Sequence, residues 1–143
     1  MRLVAPCLSA AALSKVTGRV DRLGRPVVRI EIPGGESFLA LIDTGFNGEL
    51  MVAKVDAQML GLTITTKVAD VTVAGDLVQS VLEGIGSIRW LDVTRRVEIH
   101  ISTAVPHRTM DDDPIAMIGT RLLSPHLLLI DFVQGTVEIE TQT

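Results

Sequence analysis

The chain has 143 residues, a mass of 15.4 kDa and a formal net charge of −4. That length favours a single domain, and 47% hydrophobic against 21% charged residues excludes an intrinsically disordered chain. An isoelectric point near 5.3, 3% aromatic residues and no Tyr argue against a nucleic-acid surface, an anionic-membrane surface and a base-stacking platform.

Residues 1–16 read as an N-terminal extension, disordered or a short helix, and residues 17–143 as one domain. The segment from Met1 to Ser14 is apolar, but Arg2 is its only early cation and Pro6 interrupts it, so it makes a poor signal peptide. It is also too short to span a bilayer, and the expected compartment is the cytoplasm. A lone Cys7 excludes an internal disulfide and a multi-cysteine metal site. The remainder is rich in β-branched residues, with 17 Val, 12 Ile and 13 Thr, and is punctuated by 12 Gly and 6 Pro. That composition predicts a mostly β domain of many short strands.

In chain order, strands are expected at Thr17–Leu23 and Pro26–Ile32, around a turn at Gly24. Pro33-Gly34-Gly35 is a further turn. Ser37–Ile42, SFLALI, is a nearly continuous apolar run and so a buried strand. Leu50–Ala53 reads as a return strand and Lys54–Leu60 as a short helix stopped by Gly61. Thr63–Val73 and Leu77–Leu82 form a hairpin around Ala74-Gly75-Asp76. Ile88–Leu91 and Val93–Ser102 are separate strands, and Val105–Pro114 is a polar loop. Ile115–Ile118 is a buried strand, Thr120–Ser124 a helical turn, and Leu127–Phe132 with Thr136–Glu140 a closing hairpin.

The sharpest chemical feature is Asp43-Thr44-Gly45 directly after the SFLALI run. A carboxylate there is costly to desolvate unless it is paired or hydrogen-bonded. Thr44 supplies a neighbouring hydroxyl and Gly45 permits a sharp turn. If a second Asp43 faces the first, the two carboxylates can share a proton. One then acts as base on a water while the other donates to the scissile carbonyl. An ordinary Asp-initiated turn explains the tripeptide alone. The second feature, Met117-Ile118-Gly119-Thr120-Arg121-Leu122-Leu123 followed by Leu129-Ile130-Asp131-Phe132, gains meaning from its order and spacing after the first.

Together these motifs resemble retropepsin-like aspartic proteases over roughly Thr17 to Glu140. Asp43-Thr44-Gly45 matches that family's catalytic loop, and Ile118-Gly119 matches the strand that packs beneath it. The variant with Phe46 is similar to small prokaryotic retropepsin-like proteins carrying Asp-Thr-Gly-Phe. The resemblance implies an all-β, closed acid-protease barrel with one or two short helices. It implies an aspartic endopeptidase with no metal or cofactor, acting on peptide or protein substrates held in extended form. Asp43, Thr44 and Gly45 are the expected catalytic residues. Phe46, Asn47, Ala74, Gly75, Asp76, Ile118 and Gly119 are the expected substrate-binding residues. The flap tip falls at Val73–Leu77 or, as a rival, at Gly84-Ile85-Gly86, and spacing leaves both open. Phe46 replaces the usual Ala or Ser and is expected to crowd the carboxylates. Asn47 stands where retroviral enzymes often place an acidic residue that grips substrate backbone. One Asp-Thr-Gly per chain requires a homodimer, with Thr44 bracing the two loops across the two-fold axis.

A non-catalytic peptide-binding or dimerisation module on the same fold is the rival expectation, as is a subunit that pairs with a different chain. Other features read as structural. His100, His107 and His126 lack metal-ligand spacing. Asp111-Asp112-Asp113 lacks the ligand alternation of a calcium loop. Arg95-Arg96 reads as an exposed turn, and Trp90 as core or interface.

Overall fold

In the computed structural model, residues 14–103, 106 and 108–141 are described. They form a mostly β structure with two short helices. The strands are β1 (Lys15–Val20), β2 (Pro26–Glu31), β3 (Ser37–Ile42), β4 (Leu50–Ala53), β5 (Thr63–Val73), β6 (Leu77–Trp90), β7 (Val93–Ser102), β8 (Ala116–Ile118), β9 (Leu127–Asp131) and β10 (Thr136–Glu140). The helices are α1 (Lys54–Met59) and α2 (Thr120–Leu123). A 3-10 turn at Ala74–Asp76 joins β5 to β6.

All ten strands share one sheet, in the order β5-β6-β7-β4-β8-β3-β2-β1-β10-β9. One further bridge, Glu31 to Arg89, joins β2 to β6, so the pairings from β6 round to β2 return on themselves. The decisive topological step is the placement of β8. Strands β3 and β4 are consecutive in sequence yet do not pair. β8 lies between them, parallel to β3 and antiparallel to β4. The segment 43–49 must therefore arch over the end of β8, and that arch carries Asp43-Thr44-Gly45.

The burial pattern follows from this order. β3 sits between β2 and β8, and Phe38, Leu39, Ala40 and Ile42 are all buried, as a continuous apolar strand requires. β1 lies towards the sheet margin and alternates exposed with half-buried positions. The main core joins Val28, Ile30, Leu50, Ile88, Trp90, Ile99, Ile101, Ile118 and Leu122. Trp90 is thus a core residue, only 2% exposed.

Several expectations change. The expected extension of residues 1–16 overlaps β1, which begins at Lys15 and pairs with β10; residues 1–13, with Cys7, lie outside the described residues. β1 ends at Val20 because Asp21 starts a turn, its Oδ1 accepting from Leu23 N at 2.9 Å and Arg25 N at 3.0 Å. Gly84-Ile85-Gly86 is strand interior, since β6 runs unbroken through Trp90. A Cβ on Gly84 would stand 2.6 Å from Thr63 O, and one on Gly86 2.6 Å from Leu62 Cδ2. These glycines therefore admit close neighbours instead of making a turn. Arg95 and Arg96 likewise lie within β7; the turn is Leu91-Asp92, with φ of 51° and 67°. Both residues adopt the left-handed conformation of a two-residue hairpin turn without the usual Asn or Gly. His107 and part of the expected 105–114 loop lie outside the described residues.

Candidate active site

Ile42 ends β3 in register with Ile118 of β8. Asp43 continues the ladder, its N donating to Ile118 O at 2.9 Å. The chain then turns at once: Gly45 N donates to Asp43 Oδ1 at 2.9 Å and Phe46 N to Asp43 O at 3.2 Å. Asp43 is half-buried while Thr44 and Gly45 are exposed. The arch therefore holds one carboxylate at a turn whose next two residues face outward.

The arch is pinned from beneath. Thr120 N donates to Phe46 O at 2.8 Å, Arg121 N to Gly48 O at 3.1 Å and Gly119 N to Glu49 O at 3.0 Å. These contacts demand close approach. A Cβ on Gly119 would lie 2.3 Å from Gly48 O and 2.6 Å from Phe46 Cδ2. A Cβ on Gly48 would lie 2.5 Å from Phe46 Cζ and 2.7 Å from His100 Nδ1. Glycine is thus needed on both sides of the contact for want of space.

Phe46 is the main correction to the expected site. Its ring is fully buried, packed with Met51, Val71 and Val81. It meets His100 edge to face, with ring centroids 5.7 Å apart and planes at 88°. It is core beneath the arch, not an open wall of a cleft. Ile118 and Gly119 are buried too, beneath the arch.

Asn47 is exposed and already engaged. Its N donates to Thr72 O at 3.1 Å, and its Oδ1 accepts from Thr72 N at 3.0 Å. The β5–β6 hairpin is thereby tied to the arch two residues before its tip. Residues 74–76 do form the tip, with φ of 73° at Gly75 and 60° at Asp76. Of the two flap-tip positions left open by spacing, only Ala74-Gly75-Asp76 is a hairpin tip.

Three participants gave no signal in the sequence. Glu49 is buried; its Oε1 accepts from Glu98 N at 2.8 Å and its Oε2 forms an ion pair with Arg95. His100 is 4% exposed, and no partner reaches its Nδ1. Burial pushes its pKa down, against the pull of Glu98, Glu83 and Glu49 and with the push of Arg121. Arg95 and His100 lie on β7 and Glu49 in the arch itself, and nothing local in the sequence says that β7 will run beside the arch.

A groove of about 420 Å3 adjoins the arch, lined in part by Leu41, Met51, Gln79, Ile115 and Met117. Leu41 and Met117 are register partners one step before Ile42 and Ile118, so the groove stops just short of Asp43. A cleft of about 570 Å3 between Thr65, Lys67, Glu83, Arg96 and Glu98 holds no residue of the arch. Nearness to the only Asp-Thr-Gly makes the first groove the relevant one, although it is the smaller. Asp113 of the acidic run forms an ion pair with Arg25 at 2.8 Å. Among the described residues, no three His, Cys, Asp or Glu side chains are grouped to hold a metal. Among them, too, no helix is long and apolar enough to cross a membrane. No family model matches the chain, and no curated protein matches it.

Proposed function

We propose that the chain is a retropepsin-like aspartic endopeptidase on a closed acid-protease barrel, active as a homodimer. One observation carries the reading. Asp43-Thr44-Gly45 tops an arch over the end of an inserted strand, Ile118-Gly119 is bonded beneath it, and a hairpin is tied to it from the other side. The two motifs matched by the resemblance are distant in sequence, and their meeting at the arch supports the reading.

The mechanism needs two carboxylates, one from each subunit. The ionised Asp43 takes a proton from water, and the water oxygen bonds to the peptide carbonyl carbon. The protonated partner Asp43 donates its proton to the carbonyl oxygen. Collapse of the tetrahedral species breaks the C–N bond as the amine nitrogen gains a proton. Thr44, exposed beside Asp43, braces the paired arches. Gly45 leaves room above the carboxylate. The apolar groove at Leu41, Ile115 and Met117 suits a hydrophobic side chain of an extended peptide or protein substrate. Burial of the Phe46 ring favours this reading over the rival non-catalytic module on the same fold.

The test is cleavage of a diverse peptide library from acidic to neutral pH by wild type and Asp43→Asn. Loss of about 10³-fold or more, with fold and dimer retained, is expected from removing the base. Cleavage that survives in the variant refutes the mechanism, and a protein that cleaves nothing as wild type refutes the activity.

A further inference from the structure

The ladder between β5 and β6 breaks once, and a cleft lies at the break. Ile64 pairs with Gly84 and Val68 with Leu82, so Thr65, Thr66 and Lys67 all stand opposite Glu83. Such a bulge turns side chains out of the ladder and re-aims them. Thr65 fastens it: its hydroxyl donates to Glu83 O at 3.0 Å and accepts from Lys67 N at 3.2 Å. The cleft, of about 570 Å3, is lined by Thr65 and Lys67 of β5, Glu83 and Ile85 of β6, and Arg96 and Glu98 of β7. The last four share one face of the sheet. Glu83 and Ile85 are alternate residues of β6, Arg96 and Glu98 alternate residues of β7, and Ile85 stands opposite Glu98.

The charges in the cleft are not equally engaged. Lys67 Nζ lies 3.6 Å from Glu83 Oε2, so those two offset each other. Arg96 is exposed, and among the described residues no acceptor reaches its guanidinium. The Glu98 carboxylate is loosely held: its Oε1 is 3.5 Å from His100 Nε2 and its Oε2 3.6 Å from Arg121 Nη1. Beside this open donor fork and this carboxylate stands Ile85, an aliphatic side chain 39% exposed. Arg96 and Glu98 are two residues apart on one strand, about 7 Å from Cα to Cα. One small molecule can therefore meet both, provided that it carries an anion and a cation together. The smallest molecule with both charges and an apolar group is an α-amino acid.

We propose that this cleft binds a free α-amino acid with an aliphatic side chain, its carboxylate on Arg96, its ammonium on Glu98 and its side chain against Ile85. The planar guanidinium meets a carboxylate through two parallel N–H bonds. The ammonium gives Glu98 the close donor that His100 and Arg121 do not supply. No residue of the arch lines the cleft, so the site stands whether or not the chain cleaves peptides. It is joined to the arch through Glu98 all the same. Glu98 N donates to Glu49 Oε1 at 2.8 Å, and Arg121 donates its own N to Gly48 O at 3.1 Å. A ligand that draws the Glu98 carboxylate outward takes it from Arg121, beneath the arch.

Titration of the full chain, followed by the NMR shifts of its backbone amides, tests this. Leucine should shift the amides of Ile85, Arg96 and Glu98 and saturate with a Kd of about 1 mM, an ordinary affinity for so small a ligand. Leucinamide lacks the carboxylate and isocaproate lacks the ammonium. Each should bind at least about tenfold more weakly, the worth of one charged hydrogen bond. Arg96→Gln should bring leucine down to the level of leucinamide, and Glu98→Gln to that of isocaproate, with melting curves showing both variants folded. Leucine that moves none of the three amides at about 20 mM overturns the site. Isocaproate that matches leucine overturns the role of Glu98, and leucinamide that matches it overturns that of Arg96. Leucyl-leucine that binds more tightly than leucine overturns the free amino acid in favour of a peptide. The amide of Arg121 should shift along with the cleft, and an Arg121 that stays still overturns the link to the arch.

Discussion

The arch and the hairpin that meets it at Asn47 are built on opposite principles. The arch is held by backbone bonds to β8 and α2, by two glycines packed too tightly for a Cβ, and by a buried ring. The hairpin is long and largely exposed, and it reaches the arch through a few Val side chains and one pair of bonds. On the proposed reading, a catalytic carboxylate needs the first kind of support, because its reach to a partner across a two-fold axis would tolerate little error. A cover that must admit a chain needs the second kind, because local opening follows from sparse burial.

The largest test of this contrast is Phe46→Ala. Removing a fully buried ring from beneath the arch should cost about 3–5 kcal/mol. The melting temperature should fall by roughly 10–20 °C. A fall of a few degrees would mean that the ring is not what holds the arch. A paired glycine substitution sharpens the same point. Gly119→Ala puts a Cβ against backbone, 2.3 Å from Gly48 O, and should cost about 3 kcal/mol. Gly75→Ala at the hairpin tip meets nothing within 4 Å, so only its φ of 73° opposes it. That strain, about 1–2 kcal/mol, is partly offset by the lower entropy of the unfolded chain, so the net cost should stay well below that of Gly119→Ala. Equal losses for the two, measured by denaturant melts, would erase the distinction.

The contrast was only half legible in the sequence. The strand SFLALI, the turn at 74–76 and the hairpin as far as Leu82 follow from apolar runs and turn residues, which are local signals; the run of β6 on to Trp90 through two glycines does not. The insertion of β8 between β3 and β4 does not. It rests on parallel pairing across more than seventy residues, and only the resemblance pointed to it. Phe46 shows the same limit. Its neighbours in sequence, Gly45 and Asn47, are both exposed, so nothing local says that it turns inward. The strand bounds Ile88–Leu91 and Val93–Ser102 leave the break at Asp92, but reading Arg95-Arg96 as an exposed turn hid the ion pair of Arg95 with Glu49.

The smallest effect concerns what lies under the arch in acid. Burial lowers the pKa of His100, and burial followed by the nearby Arg95 lowers that of His126. Their ordinary value is 6.5, so below that pH the unfolded chain binds protons that the folded chain resists. Stability from this source is complete above about pH 6.5 and is lost as pH falls towards the depressed folded values. Asp113, held down first by its bond from Arg25, and Asp21, where bonds from Arg25 and Leu23 outweigh burial, add their loss only near and below 3.8. Between those limits the histidines set the slope. Charging His100 forces a cation between Phe46 and Gly48, with Glu98 Oε1 3.5 Å from Nε2 and the weaker pull of Glu83 and Glu49 to set against burial. Melting temperature should therefore decline from neutral pH to about pH 5, and His100→Gln should flatten that decline whatever it does to the absolute value. A slope unchanged in the variant would acquit His100 and leave the decline to His126. A flattened slope would mean that acid loosens the rigid half of the site before the hairpin, the reverse of the order that burial alone suggests.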